Sequence, residues 1–336
     1  MSWYAVDALE DAIEGTRELL FPFDAGTWLR LAVIVFFLGG TSTASPVQTN
    51  MQFSPQSGGS FPVTPGNLSI PWESVATVLV VLAVVAVFLG LLFTAIGAIM
   101  EFAFVESLRT QRVHVRRYAK SYLGQGLSLF VFQLVLFLIV LLPVAGIVLV
   151  TVPALFNGPE NVALGPLLFL VPVLFVLGFF VALVDTLTKA FVVPVMMVRG
   201  GGVLAGWKAF WPTLKREWKQ YGIYLVLRFF IAIAASFVVS LVGGFLSIVV
   251  LIPFAIVAIL LIVAFGGFGA LAVMFSNPAI VAVFVVLLVA YIVCAIFILA
   301  LVRVPIQAYT GYFSLLVLGD TNGEFDLIPE LRERIR

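Results

Sequence analysis

Histidine and cysteine occur once each, as His114 and Cys294, in a chain of 336 residues of which only 10% are charged. A single cysteine excludes an intramolecular disulfide and any multi-cysteine metal site. A His-based metal centre or a Ser-His-Asp triad would have to use His114, which stands in a basic loop with no suitable carboxylate beside it in sequence. A phosphate-gripping P-loop is also missing. Gly266-Gly267-Phe268-Gly269 is glycine-rich, but it follows an apolar run where a nucleotide motif would follow a strand, so it reads as a helix break. The expectation is a protein that is not an enzyme and needs neither metal nor cofactor.

Charge is missing on a larger scale. Between Arg228 and Arg303 lie 74 residues without one Asp, Glu, Lys or Arg. The whole chain is 62% hydrophobic with a mean hydropathy of +1.19, where soluble domains carry about 25% charged residues. A membrane crossing takes roughly 20 apolar residues, so the uncharged run holds two crossings or three. Backbone groups in hydrocarbon must be paired, which leaves helices or a closed barrel. Barrel strands would alternate polar with apolar residues, and residues 74 to 100 do not. The fold class is therefore all-α: a polytopic transmembrane helical bundle with interfacial amphipathic helices.

What charge there is marks out the topology. Residues 1–24 carry six acids against Arg17 alone, which does not suit a cleavable signal peptide. Val6, Leu9, Ile13, Thr16 and Leu20 recur there at helical spacing, so the segment is expected to lie along the membrane surface or to pack on the bundle. A first hairpin covers 26–105 and contains the uncharged, Ser/Thr/Pro/Gln-rich stretch 41–71, placed outside because cytoplasmic loops collect Lys and Arg. Asn67-Leu68-Ser69 within it is an N-glycosylation pattern. A second hairpin, 106–199, opens on Arg109, Arg112, Arg116, Arg117 and Lys120 and turns at Asn157–Asn161. The third, 200–318, opens on Lys208, Lys215, Arg216 and Lys219, and a tail follows over 319–336.

Trp207, Trp211, Trp218 and Tyr221 are interleaved with those lysines, the pattern of anchors in the headgroup layer rather than of a nucleic-acid surface. Pro212 is expected to split this stretch into an interfacial helix and the foot of the next span. Laid in order, the pieces form a threefold repeat of lead-in, outgoing span, excursion and returning span. The returning spans end in the similar stretches Phe104–Leu108, Pro194–Val198 and Tyr312–Leu316. Applied to the uncharged run, the repeat gives about six spans and places both termini in the cytoplasm. Residues 246–276 are too apolar for a free loop and contain Pro253 and several glycines, so a re-entrant or outer-leaflet segment is expected, with a seventh crossing as the alternative.

The motifs Ala8-Leu9-Glu10-Asp11-Ala12-Ile13, Leu20-Phe21-Pro22-Phe23, Trp28-Leu29-Arg30-Leu31, Val113-His114-Val115-Arg116-Arg117-Tyr118 and Gly206-Trp207-Lys208-Ala209-Phe210-Trp211 resemble an uncharacterised family of haloarchaeal six-helix membrane proteins. More distantly, the chain is similar to the membrane domain attached to some glycerophosphodiester phosphodiesterases. The resemblance covers almost the whole chain and implies a fold and a location in the membrane of an archaeal cell. It carries over no catalytic residue.

Charges inside the spans are the candidate site. Glu101, Asp185, Lys189 and Arg228 lie near inner helix ends, and Asp185 and Lys189 are spaced to pair on one helical face. Arg228, Ala232, Ser236, Ser240 and Gly244 recur every four residues as a close-packing seam. The four charges either line a polar chamber for an ion, solute or lipid headgroup, or pair to fix the packing; the second is the expectation. The function expected is a non-enzymatic membrane anchor, scaffold or lipid-organising protein. The alternative is a transporter or channel, against which stand parallel rather than inverted repeats. Candidate partners are membrane lipids and a second copy or another membrane protein.

Overall fold

The computed structural model describes residues 4–41, 72–156, 164–267 and 277–336; Asn67, most of the loop 41–71, the turn 157–163 and residues 268–276 lie outside them. Among the described residues the chain is helical throughout, without a strand. In order come α1 (Tyr4–Leu20), α2 (Ala25–Thr41), α3 (Trp72–Thr110), α4 (Val115–Ser121) and α5 (Leu123–Phe156). Next, α6 (Leu164–Leu187), a π-helical turn (Thr188–Val192) and α7 (Val193–Arg199) form one rod. After α8 (Val203–Arg216), a second rod joins α9 (Trp218–Val238), a π turn (Val239–Gly243) and α10 (Gly244–Ala264). The chain ends with α11 (Pro278–Thr321), a 3-10 turn (Gly323–Phe325) and α12 (Pro329–Ile335).

Five stretches are long and apolar enough to cross a membrane: Ala83–Thr110, Leu123–Leu149, Leu170–Arg199, Trp218–Ala264 and Pro278–Thr321. Ala25–Gly39 is a shorter apolar helix. This is the build of a multi-pass membrane protein. The apolar spans form consecutive hairpins, α2 with α3, α5 with α6, and α10 with α11. In the third hairpin Gly243 lies against Leu299, and the Phe254 and Tyr291 rings stand 5.7 Å apart.

Packing is concentrated at one end, called the base. There the three similar returning stretches converge, with Phe104, Leu108, Val195, Met196, Tyr312, Phe313 and Leu316 all buried in a single core. The Tyr312 hydroxyl donates to the Leu108 carbonyl at 3.1 Å and accepts from Gln111 Nε2 at 2.6 Å, tying the first returning helix to the third. Gln125 Nε2 donates to the Met196 carbonyl at 3.0 Å, tying the start of α5 to the second. Away from the base the spans present their side chains outward, Phe175 being 76% exposed. In water such a surface would be ruinous; against lipid tails it costs nothing.

The lead-ins ring the base. α1 packs on α11 through its small residues: Ala5, Ala8, Ala12 and Gly15 are buried, and a Cβ on Gly15 would stand 3.3 Å from the Tyr312 ring. The bulky stripe divides: Leu20 is buried and Leu9 packs on the core, whereas Val6 and Ile13 stand outward at 47% and 59% exposed. α1 thus lies on the bundle and keeps an apolar face for the surroundings. Asp24 starts α2, its Oδ2 accepting from the Thr27 N–H at 2.8 Å and the Thr27 hydroxyl at 2.7 Å. These bonds, the hydroxyl's first, hold the Asp24 carboxyl below the usual carboxylate range.

The C-terminal segment 319–336 is a clasp, not a free tail. Arg336 donates to both oxygens of Asp320 at 2.9 and 2.7 Å and to Asp11 of α1 at 2.7 Å; Arg334 pairs with Glu18 at 3.4 Å. α1 and the C-terminal segment therefore meet at the base.

Two expectations are corrected. Pro212 does not break the lead-in, which continues as α8 to Arg216 and turns at Glu217. The proline costs one backbone bond, to the carbonyl of exposed Lys208, which water can satisfy. Residues 246–264 do not re-enter, for they extend the outgoing helix through Pro253 as α10. A kink forfeits one hydrogen bond, whereas a fold-back would unpair several in hydrocarbon. The joined rod of 47 residues is about 70 Å long at 1.5 Å per residue, so a bilayer core of about 30 Å accommodates it only tilted or projecting.

Candidate functional site: four charges at the base

Each hairpin delivers charge to one place. Glu101 comes from α3 of the first and is 8% exposed; Asp185 and Lys189 come from the α6 rod of the second; Arg228 comes from α9 of the third. Lys189 Nζ donates to Asp185 Oδ2 at 2.7 Å, both side chains being nearly buried. Glu101, Lys189 and Arg228 face one cleft, and Asp185 joins them through Lys189. Formally two positive and two negative groups sum to zero. That balance is what permits Glu101, Asp185 and Lys189, all buried, and the partly buried Arg228 to share one site, since an unpaired buried charge is prohibitive.

The π turn explains how Lys189 reaches the site. Thr188, Lys189, Ala190, Phe191 and Val192 are all buried, because this wider turn sits where the hairpins meet. Its Thr188 hydroxyl donates back to the Val184 carbonyl at 2.6 Å and accepts from the Trp207 indole at 3.1 Å. Phe191 stacks on Phe210 at 5.5 Å and meets Tyr221 and Tyr224 edge-on at 4.8 and 4.7 Å. Tyr224 continues the cluster by stacking on Phe313 at 4.9 Å. Its hydroxyl accepts from Arg228 Nη1 at 2.6 Å, so the aromatic floor holds the guanidinium in place.

Glu101, Lys189 and Arg228 line one cleft of about 20 Å³, closed on the third side by Gln307, Thr310 and Ser314 of α11. Such a volume holds about one water. Tyr224 and the α11 polar residues are the members that sequence reasoning missed. The signals existed: Tyr224 precedes Arg228 by four residues, and Gln307, Thr310 and Ser314 share one helical face.

Other expected residues are placed as follows. Trp211 and Trp218 are 49% and 65% exposed, with Lys215 and Lys219 over their rings at 5.3 and 6.0 Å. Trp207 is partly buried and Tyr221 fully so, its hydroxyl 2.7 Å from Thr321 Oγ1. Both contribute to the aromatic floor of the bundle. The four-residue seam from Arg228 fails at its far end, where Ser240 and Gly244 are exposed while Val239 and Gly243 are buried. A strict repeat of four walks around a 3.6-residue helix by about 40° a step. His114 is exposed at the start of α4, and Cys294 is exposed on α11. Among the described residues no three His, Cys, Asp or Glu gather as a metal-binding group.

No curated protein and no solved structure matches the chain. The pattern of a family of unknown function (DUF7544) matches residues 3–328, and the chain belongs to that family.

Proposed function

We propose that this chain is a non-enzymatic, multi-pass protein of the cell membrane that anchors, scaffolds or organises lipid around a rigid base, with both termini in the cytoplasm. The observation that carries this reading is the charge cluster, one contribution from each hairpin, shut to a cleft of about 20 Å³. A site that small and that neutral is a lock between hairpins. Orientation is supported by the bases of α4 and α8, among them Arg116, Arg117, Lys120 and Lys208, which stand at the same end as both termini. The likeness of the interfacial motifs to haloarchaeal proteins and to the membrane domain of glycerophosphodiester phosphodiesterases supports a membrane setting in an archaeal cell.

The test is Arg228→Met in the full chain, purified in detergent. Removing the guanidinium leaves Glu101 and Asp185 with Lys189 alone, so the folded, monodisperse yield collapses and thermal unfolding moves down. A variant that folds like the wild type while losing a bound ion or solute would overturn the lock in favour of a binding chamber.

A further inference from the structure

Two clefts meet on the flank of α1. The first, of about 420 Å³, lies between α1, the start of α2 and the middle of α11, walled by Ile13, Leu20, Trp28 and Pro305. Its polar neighbours are turned away: the Trp28 indole donates to the Leu20 carbonyl at 3.3 Å and the Tyr309 hydroxyl to the Leu9 carbonyl at 3.4 Å. The second, of about 410 Å³, lies between α1 and the C-terminal clasp and carries Glu14, Glu18 and Arg334. Arg17 and Phe21 line both. Each is of the size of small-molecule sites.

An apolar compartment opening into a charged one is complementary to an amphiphile. The charge at the junction selects its head. Arg334 is engaged by Glu18 at 3.4 Å, whereas exposed Arg17 has no ion pair among the described residues. A free guanidinium at the mouth of an apolar cleft suits a phosphate, which it grips through paired N–H groups. Glu14, one helical turn earlier, disfavours a second anion on the same head. The level in the membrane also fits, since Ile13, Phe21 and Phe23 beside the cleft are 59%, 62% and 67% exposed and belong where apolar surface meets headgroups.

We infer that this double cleft binds one phosphate-bearing membrane lipid, its hydrocarbon chain along Ile13, Leu20, Trp28 and Pro305 and its phosphate on Arg17. The proposal goes beyond the scaffold reading, which stands on the charge cluster elsewhere in the base. The full chain in detergent would be titrated with dioleoylphosphatidylethanolamine, dioleoylphosphatidylglycerol and dioleoylglycerol, and adducts counted by native mass spectrometry. The expected result is a one-to-one adduct with the phosphatidylethanolamine, bound about tenfold more tightly than dioleoylglycerol, with the phosphatidylglycerol second. Arg17→Gln, at an exposed position, erases the advantage of phosphate; Ile13→Trp fills the cleft and weakens all three lipids. Lys208→Gln on α8 leaves binding unchanged. Equal binding of dioleoylglycerol and the phospholipids, or adducts untouched by Arg17→Gln, overturns the site. So does the absence of any adduct, and that outcome leaves the locked base standing.

Discussion

Lys189 and Asp185 offer the sharpest test of the locked base, because the neighbours of the pair make its two halves unequal. At 2.7 Å and an effective dielectric constant near 20, their attraction is about 6 kcal/mol. Most of that offsets the loss of hydration of both ions, so an apolar pair of similar volume should be nearly as stable. Breaking the pair from one side is different, since it strands a charge. Lys189→Met leaves Asp185 and Glu101, two buried carboxylates, with Arg228 as the remaining cation, and Arg228 is already engaged with Tyr224. Asp185→Leu leaves Lys189 with Glu101 as a substitute partner. The expected losses are about 4 kcal/mol for Lys189→Met and about 3 kcal/mol for Asp185→Leu, with the double variant within about 1 kcal/mol of the wild type. Unfolding in mixed micelles would be followed by tryptophan fluorescence, for which Trp207, bonded to Thr188 beside Lys189, is a built-in reporter. Additive losses in the double variant, or equal losses in the two single ones, would refute the idea that a balanced cluster holds the hairpins together.

Other regions yield further expectations. Gly311→Ala places a Cβ 2.5 Å from Leu108 Cδ1 and 2.9 Å from Phe104 Cε1, and overpacking of this kind lowers stability by about 1–3 kcal/mol, read as a drop in thermal midpoint. Asp24 has a carboxyl pKa below its ordinary 3.8. Its contribution is thus complete above that value and disappears as pH falls through the folded-state pKa. The stability gap between wild type and Asp24→Asn should be constant near neutrality and close in acid. Arg336→Gln releases Asp320 and Asp11 at a position 38% exposed, costing about 1 kcal/mol at low salt and less at high salt, with faster hydrogen exchange confined to α1 and α12. Cysteine introduced at Asn322, beside the clasp, should be labelled in inverted vesicles and not in intact cells; efficient labelling from outside would reverse the orientation.

How far the sequence could be read depended on which contrast an element used. Charge against its absence is a contrast between water and lipid. It located the spans, the basic lead-ins and the four ionisable residues of the cluster, and the end stretches Phe104–Leu108, Pro194–Val198 and Tyr312–Leu316 proved to share one core. Packing inside lipid uses another contrast. A face against lipid and a face against protein are both apolar, so hydrophobic periodicity does not separate them. In α1 the conspicuous Val6 and Ile13 point outward although Leu20 of the same stripe is buried, and the inconspicuous Ala5, Ala8, Ala12 and Gly15 let the helix lie close on Tyr312. The same rule decides the third hairpin, where Gly243 meets Leu299 while Phe237 and Phe245 stand 69% and 65% exposed. It also explains why Lys189 could be recognised as a partner of Asp185 but not placed: a π turn has no signature in composition, and it is the extra width of that turn that brings the ammonium, Phe191 and Thr188 into the base together. In a chain solvated by lipid, residue size on a helix face therefore says more about the fold than residue polarity does, and the charges that remain are best read as the points where hairpins are tied.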